Sequence, residues 1–380
     1  MPTAEDSAAH PPARSAAESP DLESEERFAG SDAAAEGATP RRPVGPWRSG
    51  WRRLRRDRGS HFSLIAVSVI VLLALFGGAT ATRVFGHDGQ TPFLYAANTD
   101  QKAVGPWTHV PTPKSPLFDA YGQLQTPPKG TKSTLFVLGS DGPLGRDELI
   151  RLLDGLRTSL EVGVGAMLVS LLISLPLGSL AGYFGGAIDA VVSQLTETIM
   201  AFPLLLFLLF ANRYLISDFR SVGWSWVVPD GAPAEALLIG VITAFYPTRL
   251  IRAELFALRQ EEFVEAAHMV GASNWRILRR HLLPHLAPIL LVWAAIAVGT
   301  NILAEVGLSF LGVGVQASIP TLGSLLSTVW GTIFNPQTYN SQVYTPWQTV
   351  FPMVAIVVTV VSLNRLSEAL RRAMEPRETR

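Results

Sequence analysis

Few residues in this chain are of types and spacings that could do chemistry. His281 and His285 lie one helical turn apart, as a metal-binding pair would, but Pro284 between them disrupts the helix that would present both, and no third ligand accompanies them. The string "KGTKS", from Lys129 to Ser133, lacks the ending and the earlier glycine of a phosphate loop. HExxH and GxSxG are absent, and the absence of cysteine excludes disulfides, thiol nucleophiles and thiolate metal sites. No catalytic residue and no metal site is therefore expected. What remains are carboxylates in odd places. Glu197 and Glu305, the latter with Asn301 one turn before it, stand inside apolar runs. A carboxylate at mid-bilayer costs about 2.5–3.5 kcal/mol on insertion scales, so each either lines an aqueous translocation pathway or is a buried acid bonded to neighbouring helices.

The elements that must position these residues are membrane helices. Of 380 residues 48% are hydrophobic and 16% charged, so much apolar surface must face something other than water. The formal net charge is zero, which predicts no polyanionic partner. Residues 62–82 carry no charge and are long enough to cross a hydrocarbon core of about 30 Å. They are not a signal peptide, because a long tail precedes them and no small-residue cleavage pattern follows closely. Further spans are expected at 159–183, 190–211, 232–251, 286–310 and 347–366. Glu197 interrupts the third and Arg249 ends the fourth.

Arginines orient the spans. They cluster before the first (Arg48 to Arg58), between the fourth and fifth (Arg252, Arg259, Arg276, Arg279, Arg280) and after the sixth (Arg371, Arg372, Arg377). An even count places all three segments on one side, so both termini are expected in the cytoplasm of a multi-pass plasma-membrane protein. The chain divides into a disordered cytoplasmic tail at 1–46, rich in Ala, Glu, Ser and Pro, and a basic juxtamembrane segment at 47–61 suited to anionic lipid. The first span (62–82) follows, then an extended extracytoplasmic loop of turns and short strands (83–157), a five-span core (158–367) and a C-terminal tail (368–380).

Within the loop, leucines at 149, 152, 153 and 156 predict an amphipathic helix lying at the outer interface. In the second span Ala166, Ser170, Ser174, Gly178, Gly182 and Gly186 recur every fourth residue, a strip for close helix packing within this chain. Residues 321–334 suit a short outer helix that could help form a gate.

Between the fourth and fifth spans, in the loop 252–285, runs "EFVEAAHMVGASNWRILRRHLLP". Phe263, Ala266, Ala267 and Val270 mark one helical face. Gly271 suits a left-handed helix end, and Ser273 an N-cap. Trp275, Leu278 and Leu282 then share a face of a second helix, and Pro284 opens the next span. Alone this resembles a DNA-reading helix-turn-helix, but both ends are pinned to a bilayer and no third helix supports it, so no nucleic acid is expected.

Glu265-Ala266-Ala267, Gly271 and "HLLP" ending at Pro284 resemble the EAA loop of ABC-importer permeases. "LGSDGPLGRDELIRLLDGLRTSL", "FPLLL", "YPTRLIRAELFALRQEEFVEAAHMVGAS", "ILAEVGLSFLGVGVQ" and "LNRLSEALRRAMEPR" extend the resemblance to the dipeptide/oligopeptide permease C-subunit branch. The resemblance implies an all-α polytopic protein with six transmembrane helices in the type I importer permease fold. It implies that Glu265, Ala266, Ala267, Gly271 and Pro284 form a coupling unit for a cytoplasmic ATPase. A homologous permease, two ATPases that bind ATP and Mg, and an extracytoplasmic binding protein would be the partners, with no cofactor in this chain. Di- or oligopeptides are the expected cargo, with nickel chelates, glutathione or another small solute as alternatives. An ion-coupled secondary transporter is the different-class alternative.

Overall fold

The computed structural model describes residues 58–96, 103–112, 125, 130–141, 144–216, 231–316, 318–327 and 346–374. The expected tail at 1–46 and nearly all of the basic segment lie outside them. The described residues fall in the compact unit Pro46–Arg380.

The first span starts as helix α1 (Arg58–Leu72), passes a π-helical turn (Leu73–Gly77) and ends as α2 (Gly78–Phe85). Gly86 stops it at φ +77°, a left-handed cap whose N–H donates to the Thr82 carbonyl. Strands β1 (Thr108–Pro111) and β2 (Ser133–Phe136) then pair antiparallel, with Thr108 opposite Phe136. Ala96, Val110 and Phe136 form a small core beneath them. The expected loop of short strands is thus a small layer beside a helical body.

Helix α3 (Glu148–Phe184) has 37 residues, about 55 Å at 1.5 Å per residue, well beyond a hydrocarbon core. The sequence predicts an interfacial lead-in followed by a separate span; the structure merges them. Asp147 caps the helix at its very start, accepting the Leu149 and Ile150 N–H groups, and the helix runs on through Pro176 to Phe184.

The third and fourth spans are broken. Helices α4 (Gly186–Met200) and α5 (Leu204–Phe210) meet at 90°. Pro203 disfavours helical geometry at Phe202, which forces the stop. Helices α6 (Ala232–Thr243) and α7 (Phe245–Leu258) meet at 41°. There Pro247 has no N–H to donate to the Thr243 carbonyl four residues back, which favours a bend. Short helices α8 (Glu262–Met269) and α9 (Asn274–Ile277) follow, then a π turn (Leu278–Leu282) into α10 (Leu283–Phe310). Helix α11 (Pro346–Met374) is last. Among the described residues four helices are long and apolar enough to cross a membrane, or six if each bent pair counts as one span.

Helix α3 is the hub, packed on α6, α7 and α10, while α11 joins α10 to α1. In lipid, packing rather than water exclusion drives such contacts, so backbones must come close. The small-residue strip of α3 does this against α7. A Cβ on Gly182 would lie 2.6 Å from the Arg252 carbonyl oxygen, and one on Gly178 2.9 Å from that of Thr248. Ser170 and Ser174 are fully buried on the same strip. Gly186 keeps the four-residue spacing but lies outside the helix that carries the strip. The helix has already ended at Phe184, and Gly186 sits at φ +61° with open space around its α-carbon. It serves the break between α3 and α4. Leu168 and Leu172, by contrast, face outward, as lipid-facing side chains do.

Candidate functional site

The helical hairpin between α7 and α10 is built from two turns of α8, a glycine and one turn of α9. Gly271 stands at φ +84°, where only glycine is comfortable, and the Ala272 N–H returns to the Ala267 carbonyl. Ser273 occupies the cap position of α9 with extended geometry, though its hydroxyl makes no capping bond. Tyr183, at the end of α3, ties the hairpin down: its hydroxyl donates to Asn274 Oδ1 at 3.2 Å, and Arg259 Nη1 donates to its carbonyl.

The buried face is only partly the one periodicity suggests: Leu278, Leu282 and Ala267 turn inward, while Phe263, Ala266, Val270 and Trp275 do not. Val264, Ile277, Leu278 and Leu282 go into a core with Ile251, Leu255 and Leu286, and Ala267 packs partly against it. Phe263, Ala266, Met269, Val270 and Trp275 stay exposed. Met269 is 86% and Val270 89% accessible. Glu265, Gly271 and Pro284 are also exposed. The two-helix unit thus carries an exposed apolar patch with a glutamate beside it. His281 and His285 are exposed as well, and His285 stacks on Phe263. Among the described residues no group of three or more metal-ligating side chains forms.

A second feature lies at the α4–α5 break. A cavity of about 440 Å³ opens between α4 and α7, lined by Ser193, Thr196, Glu197, Thr248, Arg249 and Arg252 among others. Arg252 is already committed to Asp189, which takes its Nε and, at 2.8 Å, its Nη2. Glu197 and Arg249 are exposed, and neither has a hydrogen bond or ion pair among the described residues.

Glu305 and Asn301 are placed otherwise. Glu305 is fully buried in α10, accepting from Ser159 Oγ at 2.6 Å and from Ser309 Oγ at 2.8 Å. Asn301 Nδ2 donates to the Gly163 carbonyl at 3.4 Å. Of the two arrangements open to these residues, the geometry is that of polar groups bonded to neighbouring helices, enclosed by the chain itself. Ser159 Oγ also accepts the Leu322 N–H, so Glu305 and Ser159 together seat the helix that begins at 322.

Glu235, in the first turn of α6, is a residue that sequence reasoning missed. It is 2% accessible, and neither carboxylate oxygen meets a hydrogen-bond partner of good geometry among the described residues. The signal was present, since Glu235 interrupts an apolar span just as Glu197 does.

A polar node joins the outer layer to α3. Asp141 accepts Arg146 Nε at 2.6 Å and stands 3.4 Å from Arg151 Nε. Asp147, besides capping α3, meets His87 Nε2 at 3.2 Å. His87 itself stacks on Phe136 and meets the edge of Phe93. "LGSDGPLGRDELIR" is therefore the joint between β-layer and helix.

Comparison with known proteins bears on the whole chain. Residues 174–380 match the family model described as binding-protein-dependent transport system inner membrane component. Residues 45–102 match the N-terminal transmembrane domain of oligopeptide transport permease C. A glutathione transport system permease protein, GsiD of Pectobacterium atrosepticum, is 30% identical over 87% of this chain and 91% of its own length. A dipeptide transport system permease protein, DppC of Alkalihalophilus pseudofirmus, is 29% identical over 88% of this chain and 91% of its own. A solved inward-facing MetNI methionine ABC transporter chain aligns over 59% of this chain and 96% of that chain, at 20% identity and a TM-score of 0.45.

Proposed function

The chain belongs to the family of inner membrane components of binding-protein-dependent transport systems, and we propose that it is the permease of an ATP-driven peptide importer, coupled to its ATPase through the 262–284 hairpin. It is a multi-pass membrane protein of the dipeptide and glutathione permease type. It pairs with a homologous permease to enclose the pathway. Two cytoplasmic ATPases bind ATP and Mg, and an extracytoplasmic binding protein delivers cargo.

One observation carries the coupling reading: the hairpin buries Val264, Ile277, Leu278 and Leu282 in the transporter body yet leaves Phe263, Met269, Val270 and Trp275 bare. A partner surface covering those side chains gains apolar burial at about 25 cal/mol per Å². The hairpin continues through a π turn into α10 and is tied to α3 by Tyr183, so a push on it is transmitted to the pathway helices. Glu265 offers a charge for pairing, and Gly271 sets the bend that presents both helices.

Gly271→Asp forces a side chain into a left-handed position, and Glu265→Arg reverses the charge at the patch. Each is expected to abolish uptake and ATPase co-purification while the protein still inserts at normal abundance. Normal uptake by either variant sinks the coupling assignment. A second reading of the cargo, glutathione, is favoured by the name of the 30% identical relative. Competition uptake with di-, tri- and longer peptides against glutathione separates the two.

A further inference from the structure

We propose that the cavity at the α4–α5 break holds cargo during passage by clasping the two charged ends of a zwitterion, Glu197 taking an ammonium group and Arg249 a carboxylate. The proposal rests on the permease reading above and names how this subunit touches what it carries. Three observations converge. The cavity, about 440 Å³, is of the size that small-molecule sites have. Its wall carries charges of both signs, and these two make no direct contact with another charge. Arg252 is held by Asp189 and also feels the Glu197 carboxylate at longer range, whereas Glu197 and Arg249 have neither a hydrogen bond nor an ion pair among the described residues.

The third observation is position. Both residues sit within predominantly apolar spans, Glu197 one turn before the 90° bend and Arg249 shortly after the 41° one. A lone carboxylate there is costly against lipid, and that cost falls if it lines a wet passage. Broken helices at membrane depth are likewise tolerated where they line a cavity. Ser193, Thr196 and Thr248 line the cavity too, a hydroxyl-bearing surface suited to peptide groups between the charged ends. The Thr196 and Thr248 hydroxyls already donate to Val192 and Ala244 carbonyls, so toward a ligand they act as acceptors.

The occupant is defined by chemistry: a small solute with a free ammonium and a free carboxylate. A short peptide and glutathione both qualify, and the test separates them. The assembled transporter, with partner permease and ATPases but without binding protein, is placed nucleotide-free in nanodiscs, and binding of radiolabelled dialanine is measured. Competitors are N-acetyl-dialanine, dialaninamide and glutathione. Wild type is expected to prefer dialanine over both blocked forms. Glu197→Gln should weaken dialanine about tenfold, the size of one lost charge contact of about 1.4 kcal/mol, and erase discrimination against the acetylated form only. Arg249→Gln should erase discrimination against the amide only. Both side chains are exposed, so neither change opens a cavity in the core.

Failure of wild type to bind, wild-type binding by either variant, or loss of all ligands alike without end selectivity overturns the site. Stronger competition by glutathione than by dialanine assigns the zwitterion to that source. Uptake with the binding protein restored keeps the two readings apart. If wild type imports neither solute, the cargo reading above has failed. If wild type imports and both variants match it, only the clasp has failed.

Discussion

Asp147 holds two elements at once, and the two roles can be separated by substitution. One carboxylate oxygen caps α3 through the N–H groups of Leu149 and Ile150, and the other meets His87. Asp147→Ala removes both and is expected to cost about 1–2 kcal/mol, since cap loss alone is typically about 1 kcal/mol. Asp147→Asn retains a good cap and should recover most of that, as thermal unfolding in detergent would register. Equal losses in the two variants would place the weight on His87 instead. Ser159→Ala is a sharper case. It leaves Glu305 short of a donor and the Leu322 N–H without its acceptor, each buried, at about 1–3 kcal/mol per orphaned group. Protease sensitivity at 322–327 should rise with it, and an unchanged cleavage rate would detach Ser159 from the seating of that helix. The Ser159–Glu305 bond was not legible in the sequence. The partners are 146 residues apart, and a carboxylate in a span announces only that it needs something. That it meets hydroxyls, while Glu197 meets a cavity, is decided by which way α10 and α4 turn among their neighbours.

Helix contacts set a different kind of limit. At Gly182 a methyl group would stand 2.6 Å from the Arg252 carbonyl oxygen, a backbone atom that cannot swing away. Gly182→Leu must push α3 and α7 apart, at about 1–3 kcal/mol or more of overpacking, and should lower membrane abundance severalfold. Leu172→Ala, on the outward face of the same helix, should change abundance little. Similar behaviour of the two variants, read by immunoblot at matched expression, would remove the packing role. The four-residue strip was legible because a small residue on each turn is a local pattern. Its end was not, since Gly186 continues the spacing while the helix has already stopped. The hairpin shows the same division. Gly271 and the cap position of Ser273 followed from local backbone rules, and the structure has both. The buried face followed only in part, at Leu278 and Leu282 of the second helix. In a helix of 8 residues the apolar stripe is too short to define a side, so the face that packs on Ile251 and Leu255 is selected by α7. Phe263 and Val270 are apolar yet outside, which is what the proposed ATPase contact would cover.

On the scale of the whole molecule, the unsettled quantity is sidedness, and the chain is well suited to measuring it because it contains no cysteine. The arginine clusters predict the 262–284 hairpin in the cytoplasm and the β-layer outside. The fold supplies an independent constraint. The β-layer joins the start of α3 and the hairpin is tied to its end by Tyr183, so a helix of about 55 Å separates them. A helix that long, crossing a core of about 30 Å, puts the two features on opposite sides whatever the number of other spans. Ser133→Cys, exposed on β2, should react with a membrane-impermeant maleimide in intact cells. Met269→Cys, exposed on the hairpin, should react only after the membrane is opened. Reversed labelling would invert the protein and move the proposed ATPase surface to the wrong face; labelling of both in intact cells would break the single crossing of α3. With the orientation as expected, the ATPase supplies a further outcome. Met269→Cys should be shielded in opened membranes that contain the ATPase and accessible in membranes that lack it, while Ser133→Cys reacts equally in both. The first pair of labels tests the count and direction of the helices. The second tests whether the bare patch on the hairpin is covered, the step on which the proposed coupling of this permease to ATP depends.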